Sequence, residues 1–197
     1  MNRLLKITAL ARPWQKDRIY RDYVLAQVTK SSNAQGQPPP PRLVHLVQRL
    51  VGVQSSVRGK TVLCVGCRSG HELDLLRIAG YTPVGIDLMG NDDQVLAMDM
   101  HALTFPSKVF DAVFACHSLE HAYDVTQVLT EWARVTKPGG LWAVEVPIRF
   151  EPTSVDRHDF GSLEGLRTVL KPYLAEELWA ETRDEDRGVA RMIGRVR

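Results

Sequence analysis

At 197 residues, with 44% hydrophobic and 24% charged content, the chain has the make-up of one globular domain with a real core. A net charge of +2 gives no argument for nucleic acid or a membrane surface, and no apolar run approaches the roughly 18 residues of a spanning helix. Three cysteines, Cys64, Cys67 and Cys116, argue against a disulfide scaffold, so the expectation is a soluble, cytoplasmic protein.

The N-terminal stretch is basic and amphipathic, and Lys6 and Thr8 interrupt it too early for a signal peptide. Residues 1–37 carry Trp14, Ile19, Tyr20, Tyr23, Val24 and Val28 at helical spacing. Ser31 to Pro41 is a breaker segment and reads as an extended linker or hinge. This gives two units: a helical cover with its Pro-rich linker over 1–41, and a main domain over 42–197. A helix at about 42–54 follows, with Leu43, Leu46, Val47, Leu50 and Val51 on one face.

From residue 60 strand and helix patterns alternate. The first strand, 61–66, precedes a helix near 70–79, and the second strand is 82–87. A short third strand, about 94–98, ends at Asp99, and a fourth runs from Val109 to Cys116. A helix at about 121–135 leads to Lys137-Pro-Gly-Gly140, which reads as a stop and turn before a fifth strand, Leu141 to Val146. A loop, 148–161, and a helix, 162–171, precede two strands, 176–182 and 189–196, around the turn Arg183 to Gly188. Alternation of this kind predicts an α/β fold: a doubly wound, seven-stranded, mainly parallel sheet with an antiparallel C-terminal hairpin, plus N-terminal helices.

Chemistry concentrates at the strand ends. The apolar run Thr61 to Val65 ends in Gly66 and Gly70, and a helix begins there. Glycines let the backbone approach a ligand, and a helix start offers unpaired N–H groups. The second strand ends on Asp87, 21 positions after Gly66, where an acid accepts hydrogen bonds from ribose hydroxyls. Loop and acid together read as a nucleoside-binding unit.

The ordered segments Val62-Leu-Cys-Val-Gly-Cys-Arg-Ser-Gly70, Val84-Gly-Ile-Asp-Leu88, Met98-Asp-Met-His101, Phe110 to His121 and Glu131 to Gly140 resemble class I S-adenosylmethionine-dependent methyltransferases, most of all the small type 11 or ubiquinone-biosynthesis-like group. The resemblance covers about 58–148 closely. It implies S-adenosyl-L-methionine as cofactor and a small-molecule acceptor methylated on oxygen, nitrogen or carbon. It also implies that Gly66, Cys67 and Gly70 line the methionine end, that Asp87 with Leu88 beside it holds the ribose, and that Asp99 and Met100 flank the adenine. Cys116 and His117 then face the transfer site. Two positions depart from the pattern: Cys64 replaces an acid before the first glycine, and Arg68 replaces the middle glycine, where a cation suits the cofactor carboxylate.

Two histidines are candidate proton acceptors, His117 at a strand tip and His158 in the Asp156-Arg-His-Asp-Phe160 loop, with Asp159 beside it. His121 reads as a packing residue. Metal sites from His117-Ser-Leu-Glu-His121 or from the three cysteines with His117 have the wrong spacing and setting, so no metal is expected. Two other functions compete: a nicotinamide oxidoreductase, against which Arg68 breaks the glycine pattern, and a non-catalytic cofactor-binding regulator, motivated by Cys64 and Arg68.

Overall fold

The structure, a computed structural model, describes residues 18–32, 41–54, 60–68, 70–90, 94–183 and 188–197. Trp14 and most of the Ser31–Pro41 linker lie outside these residues. Two helices precede the sheet, α1 (Arg18–Ser32) and α2 (Pro41–Gly52). Then come β1 (Thr61–Val65), α3 (His71–Ile78), β2 (Thr82–Asp87), β3 (Val95–Ala97) and β4 (Phe110–Cys116). The remainder is α4 (Val125–Val135), β5 (Thr136–Pro147), α5 (Leu163–Leu170), β6 (Leu174–Arg183) and β7 (Val189–Val196). No helix among the described residues is long and apolar enough to cross a membrane.

The sheet order is β3-β2-β1-β4-β5-β7-β6, parallel from β3 through β5 and antiparallel for β5–β7 and β6–β7. Strand β1 shows why these sequences are strands. It is buried on both faces, as an internal parallel strand must be, and it reads as an unbroken apolar run. Val62 and Cys64 face a core layer completed by α2 and α3, while Leu63 and Val65 face the layer of α4 and α5. In that second layer Trp132 and Trp142 pack edge to face, centroids 5.7 Å apart.

Two boundaries differ most from the sequence reading. Lys137–Gly140 is not a stop outside the sheet. It lies within β5, and the pairing with β4 jumps from Phe110↔Thr136 to Ala112↔Leu141. Gly139 at φ 75° and the Lys137 Nζ–Asp111 Oδ1 pair at 2.9 Å let the strand absorb the extra residues as a bulge. The helix expected from 121 begins at Val125, because Asp124 caps it by accepting from Gln127 N–H at 2.9 Å. A short 3-10 turn, Leu119–His121, fills the gap.

Glu131, buried on α4, accepts from Leu103 N–H at 2.9 Å and from Arg134 Nη2 at 2.8 Å. Arg134 in turn donates to the Phe105 and Leu103 carbonyls at 2.7 and 2.8 Å. The pair fastens the loop before β4 to α4. Arg134→Ala strands a buried carboxylate and should destabilise the fold by about 2–4 kcal/mol in denaturant titration, reduced from the full buried-pair cost by partial solvent access. The double change Glu131→Gln with Arg134→Met should recover part of that loss. A double variant no more stable than Arg134→Ala refutes the account.

Candidate active site

The parallel strands end at one edge, where a cleft of about 540 Å³ opens. The loops after β1, β2, β3 and β4 line it: Gly66 and Arg68; Asp87 and Leu88; Met98 to His101; and His117, Ser118 and His121. Tyr23 and Gln27 of α1 complete the wall. Of the residues singled out from sequence, Gly66, Arg68, Asp87, Leu88, Asp99, Met100 and His117 thus meet in one cavity. Gly70, Cys67, Cys116 and His158 do not line it. Gly70 takes a left-handed φ of 79° as the N-cap of α3. Cys67 packs beneath Gly85, and the buried Cys116 lies 3.6 Å from Glu145 Oε1.

Gly66 is required by its surroundings. Its φ is 74°, and a β-carbon there would stand 2.5 Å from Ser118 Cβ. This contact draws the loops after β1 and β4 together. Ser118 is 3% exposed, and its Oγ has no hydrogen-bond partner among the described residues, nor has Arg68 Nε. Buried polar atoms without partners in a cleft wall suit a polar ligand group. Burial pushes the Asp87 carboxyl up, and Met89 N–H, donating at 3.0 Å, and the Arg68 guanidinium pull the other way.

Asp99 is heavily engaged. Its Oδ1 accepts from His101 N–H at 2.9 Å and from His101 Nδ1 at 2.7 Å, and its Oδ2 accepts from Tyr20. His101 Nε2 accepts in turn from Tyr123 N–H at 2.9 Å, which assigns its proton to Nδ1. Despite burial, these bonds hold the Asp99 carboxyl below the usual carboxylate range. Helix α1 is seated by this bond and by three more: Tyr23 to the His121 carbonyl, Gln27 Nε2 to the Val155 carbonyl at 2.6 Å, and Lys30 to Asp156. Arg157 stacks over Tyr23 and Tyr123, 5.5 and 4.9 Å from their centroids.

His117 adopts φ 53°, a left-handed conformation that costs a non-glycine residue energy and marks imposed geometry. Its N–H donates to the Glu145 carbonyl at 2.9 Å, and its Nε2 sits 3.0 Å from Glu145 Oε1 at ion-pair distance. Glu145, fully buried, also receives Arg191 Nε. Burial opposes the charge on Glu145, but His117 and Arg191 hold its carboxyl low. The ring thus turns Nε2 toward the Glu145 carboxylate, without the alignment of a hydrogen bond, and leaves Nδ1 facing the other way.

His158 stands elsewhere: its Nε2 donates to the Ala122 carbonyl at 2.8 Å. Asp159 does not orient it. That carboxylate gathers Arg149, Phe150 and Gly161 N–H groups at 2.9, 3.2 and 2.8 Å and shapes the loop. Sequence reasoning missed Ser118, Glu120 and Glu145 and took His121 for a packing residue. Only the position of Ser118 and Glu120 just past a strand tip signalled them. Among the described residues no cluster of three or more metal-ligating side chains has the geometry to hold an ion.

Residues 63–144 match the methyltransferase domain family. The chain is 31% identical over 108 residues to a ubiquinone biosynthesis O-methyltransferase of Thiobacillus denitrificans, covering 47% of this chain and 46% of that protein. It is 30% identical over 132 residues to a sterol 24-C-methyltransferase of Yarrowia lipolytica, covering 58% and 32%. The chain spans less than half the length of these curated relatives. A Burkholderia thailandensis 1,6-didemethyltoxoflavin-N1-methyltransferase, solved with 1,6-didemethyltoxoflavin and S-adenosylhomocysteine bound, shares the fold at TM-score 0.70 and 15% identity, covering 95% of this chain and 91% of that one. Residues 63–144 are a methyltransferase domain, and the fold around them is that of the class I S-adenosylmethionine-dependent methyltransferases.

Proposed function

We propose that the chain transfers a methyl group from S-adenosylmethionine to a small-molecule acceptor. The observation that carries this reading is the single cleft in which the glycine loop, the β2-tip acid and the β4-tip histidine meet. When bound, the cofactor supplies an already activated methyl on a sulfonium sulfur. What remains for the protein is to bind, to align and to exclude water. Arg68 and Ser118, with partnerless buried atoms, suit the methionine carboxylate. Asp87 suits the ribose, and Met98 and Met100 offer apolar walls to the adenine. Asp99, already holding His101 and Tyr20, stiffens the adenine side besides offering it an acceptor oxygen.

His117 faces the acceptor side, where its Nδ1 takes a proton from an acceptor that must lose one. Glu145 orients the ring as a carboxylate orients histidine in other proton-transfer sites. Helix α1 is the cover over this cleft. It also contributes Tyr23 and Gln27 to the wall, where a bound cofactor or acceptor would meet them. The chain acts on a soluble small molecule in the cytoplasm rather than on nucleic acid or a membrane.

Titration calorimetry with S-adenosylmethionine against NAD tests the reading. Binding of NAD alone favours the oxidoreductase, and cofactor binding without transfer to any acceptor favours a regulator. Asp87→Ala should lose about 1.5–3 kcal/mol of cofactor binding, the worth of hydrogen bonds to a charged group. An unchanged dissociation constant removes Asp87 from the ribose site.

Arg68→Ala should weaken S-adenosylhomocysteine by about tenfold while leaving methylthioadenosine, which lacks the amino-acid end, as in the wild type. Equal losses for both ligands mean that Arg68 supports the loop rather than the carboxylate.

A further inference from the structure

One buried acid beside the cleft has no task in this scheme. Glu120 lies in the 3-10 turn after β4, between two residues that line the cavity. Its side chain is 2% exposed, and its Oε2 has no hydrogen-bond partner among the described residues. Its Oε1 lies 3.9 Å from His117 Nδ1 and 3.8 Å from His121 Nε2. Glu145 Oε1 stands 3.0 Å from the opposite ring nitrogen of His117, and His121 donates Nδ1–H to the Val155 carbonyl at 3.0 Å, which leaves its Nε2 a lone pair toward Glu120.

We propose that Glu120 stores the proton released by methyl transfer, receiving it through His117, and that the positive sulfur of the bound cofactor readies it by driving it to the carboxylate. The proposal rests on reading the cleft as the S-adenosylmethionine site.

The charge balance explains why an acid should stand there. A proton left on His117 would place a cation beside another cation before transfer. On Glu120 it cancels a negative charge at the moment the sulfonium disappears. The acceptor's X–H proton passes to His117 Nδ1. The freed pair on X forms the bond to the methyl carbon as the carbon–sulfur bond breaks and its electrons stay on sulfur. His117 then hands the proton to Glu120 Oε1. One positive and one negative charge vanish together, leaving a neutral thioether and a neutral acid. The acceptor class is accordingly a molecule with a weakly acidic X–H group.

The groups facing Glu120 come from four directions: His117 and His121 flank it, Asp156 approaches from the loop after β5, Lys30 from α1 and Arg42 from α2. Lys30 is bound to Asp156, and Arg42 lies 3.6 Å from Glu145, so both cations are engaged elsewhere. Burial accordingly pushes the Glu120 carboxyl up to about 8, with Asp156 adding to the rise. Without cofactor the group is protonated near neutrality, poised for a nearby cation to ionise it.

The test needs no knowledge of the acceptor. S-adenosylmethionine and S-adenosylhomocysteine are titrated calorimetrically just below pH 8, each in two buffers of different ionisation enthalpy, which counts protons exchanged on binding. Wild type should release more protons to the charged ligand than to the neutral one, and Glu120→Gln should lose most of that excess. The ligands' own amino groups titrate alike in both proteins, so the subtraction isolates Glu120. An excess that survives Glu120→Gln, or no excess in wild type beyond the ligands' own, overturns the proposal. If neither ligand binds wild type, the cofactor reading falls as well.

Should Glu120→Gln fail to fold, wild-type thermal unfolding against pH supplies a second measurement. A folded-state value raised above the unfolded one contributes stability that is intact in acid and lost as pH rises through about 8. Saturating S-adenosylmethionine should move that loss to lower pH, and S-adenosylhomocysteine should leave it in place. Identical profiles with the two ligands refute the role.

Discussion

The contact between Gly66 and Ser118 is the constraint on which the site depends. Strands β1 and β4 run parallel in register, Val62 opposite Ala112 through Val65 opposite Ala115, so their loops leave the sheet side by side. Only a residue without a β-carbon allows the first loop to lie against the second. Because they touch, Arg68 and Ser118 share one wall, and His117 is carried to within reach of the same cavity. Widening that contact would separate Arg68 from Ser118 and His117.

A second layer of organisation is electrostatic. The carboxyl edge of the sheet carries two buried glutamates with opposite fates. Arg191 and His117 hold the Glu145 carboxyl low, whereas burial, with Asp156 nearby, pushes that of Glu120 up to about 8. Two similar side chains are thus shifted in opposite directions because their partners differ. His117 stands between them, Nε2 toward Glu145 and Nδ1 toward Glu120. Its left-handed backbone is what turns the ring into that position.

Much of the fold was legible because internal parallel strands announce themselves. Thr61–Val65 and Phe110–Cys116 are apolar runs too short for helices and end at glycine or polar tips. That Gly66, Asp87 and Asp99 share one cleft was legible for a related reason, since strand ends of such sheets converge on one edge. Lys137–Gly140 misled because proline and two glycines ordinarily end an element, whereas here Asp111 on the neighbouring strand holds the bulge through Lys137. His158 misled because a loop histidine shows nothing of its partner, and a carbonyl at Ala122 claims it. Beyond its place just past a strand tip Glu120 gave no signal: in Ser-Leu-Glu-His it looks like a solvated charge, yet it is buried.

The seating of α1 has a mechanical consequence. Its four anchoring bonds fall into two pairs along the helix: Tyr20 and Tyr23 near its start, over Asp99 and the His121 carbonyl, and Gln27 and Lys30 near its end, over Val155 and Asp156. The first pair is braced by an aromatic cluster with Tyr123 and Arg157; the second ends in an ion pair about one-third exposed on each side. Fraying therefore starts at the C-terminal turns, where water competes for the ion pair, while the tyrosine end holds. The two ends of the helix thus hold the cleft wall with different strength, the aromatic end more firmly than the ionic one.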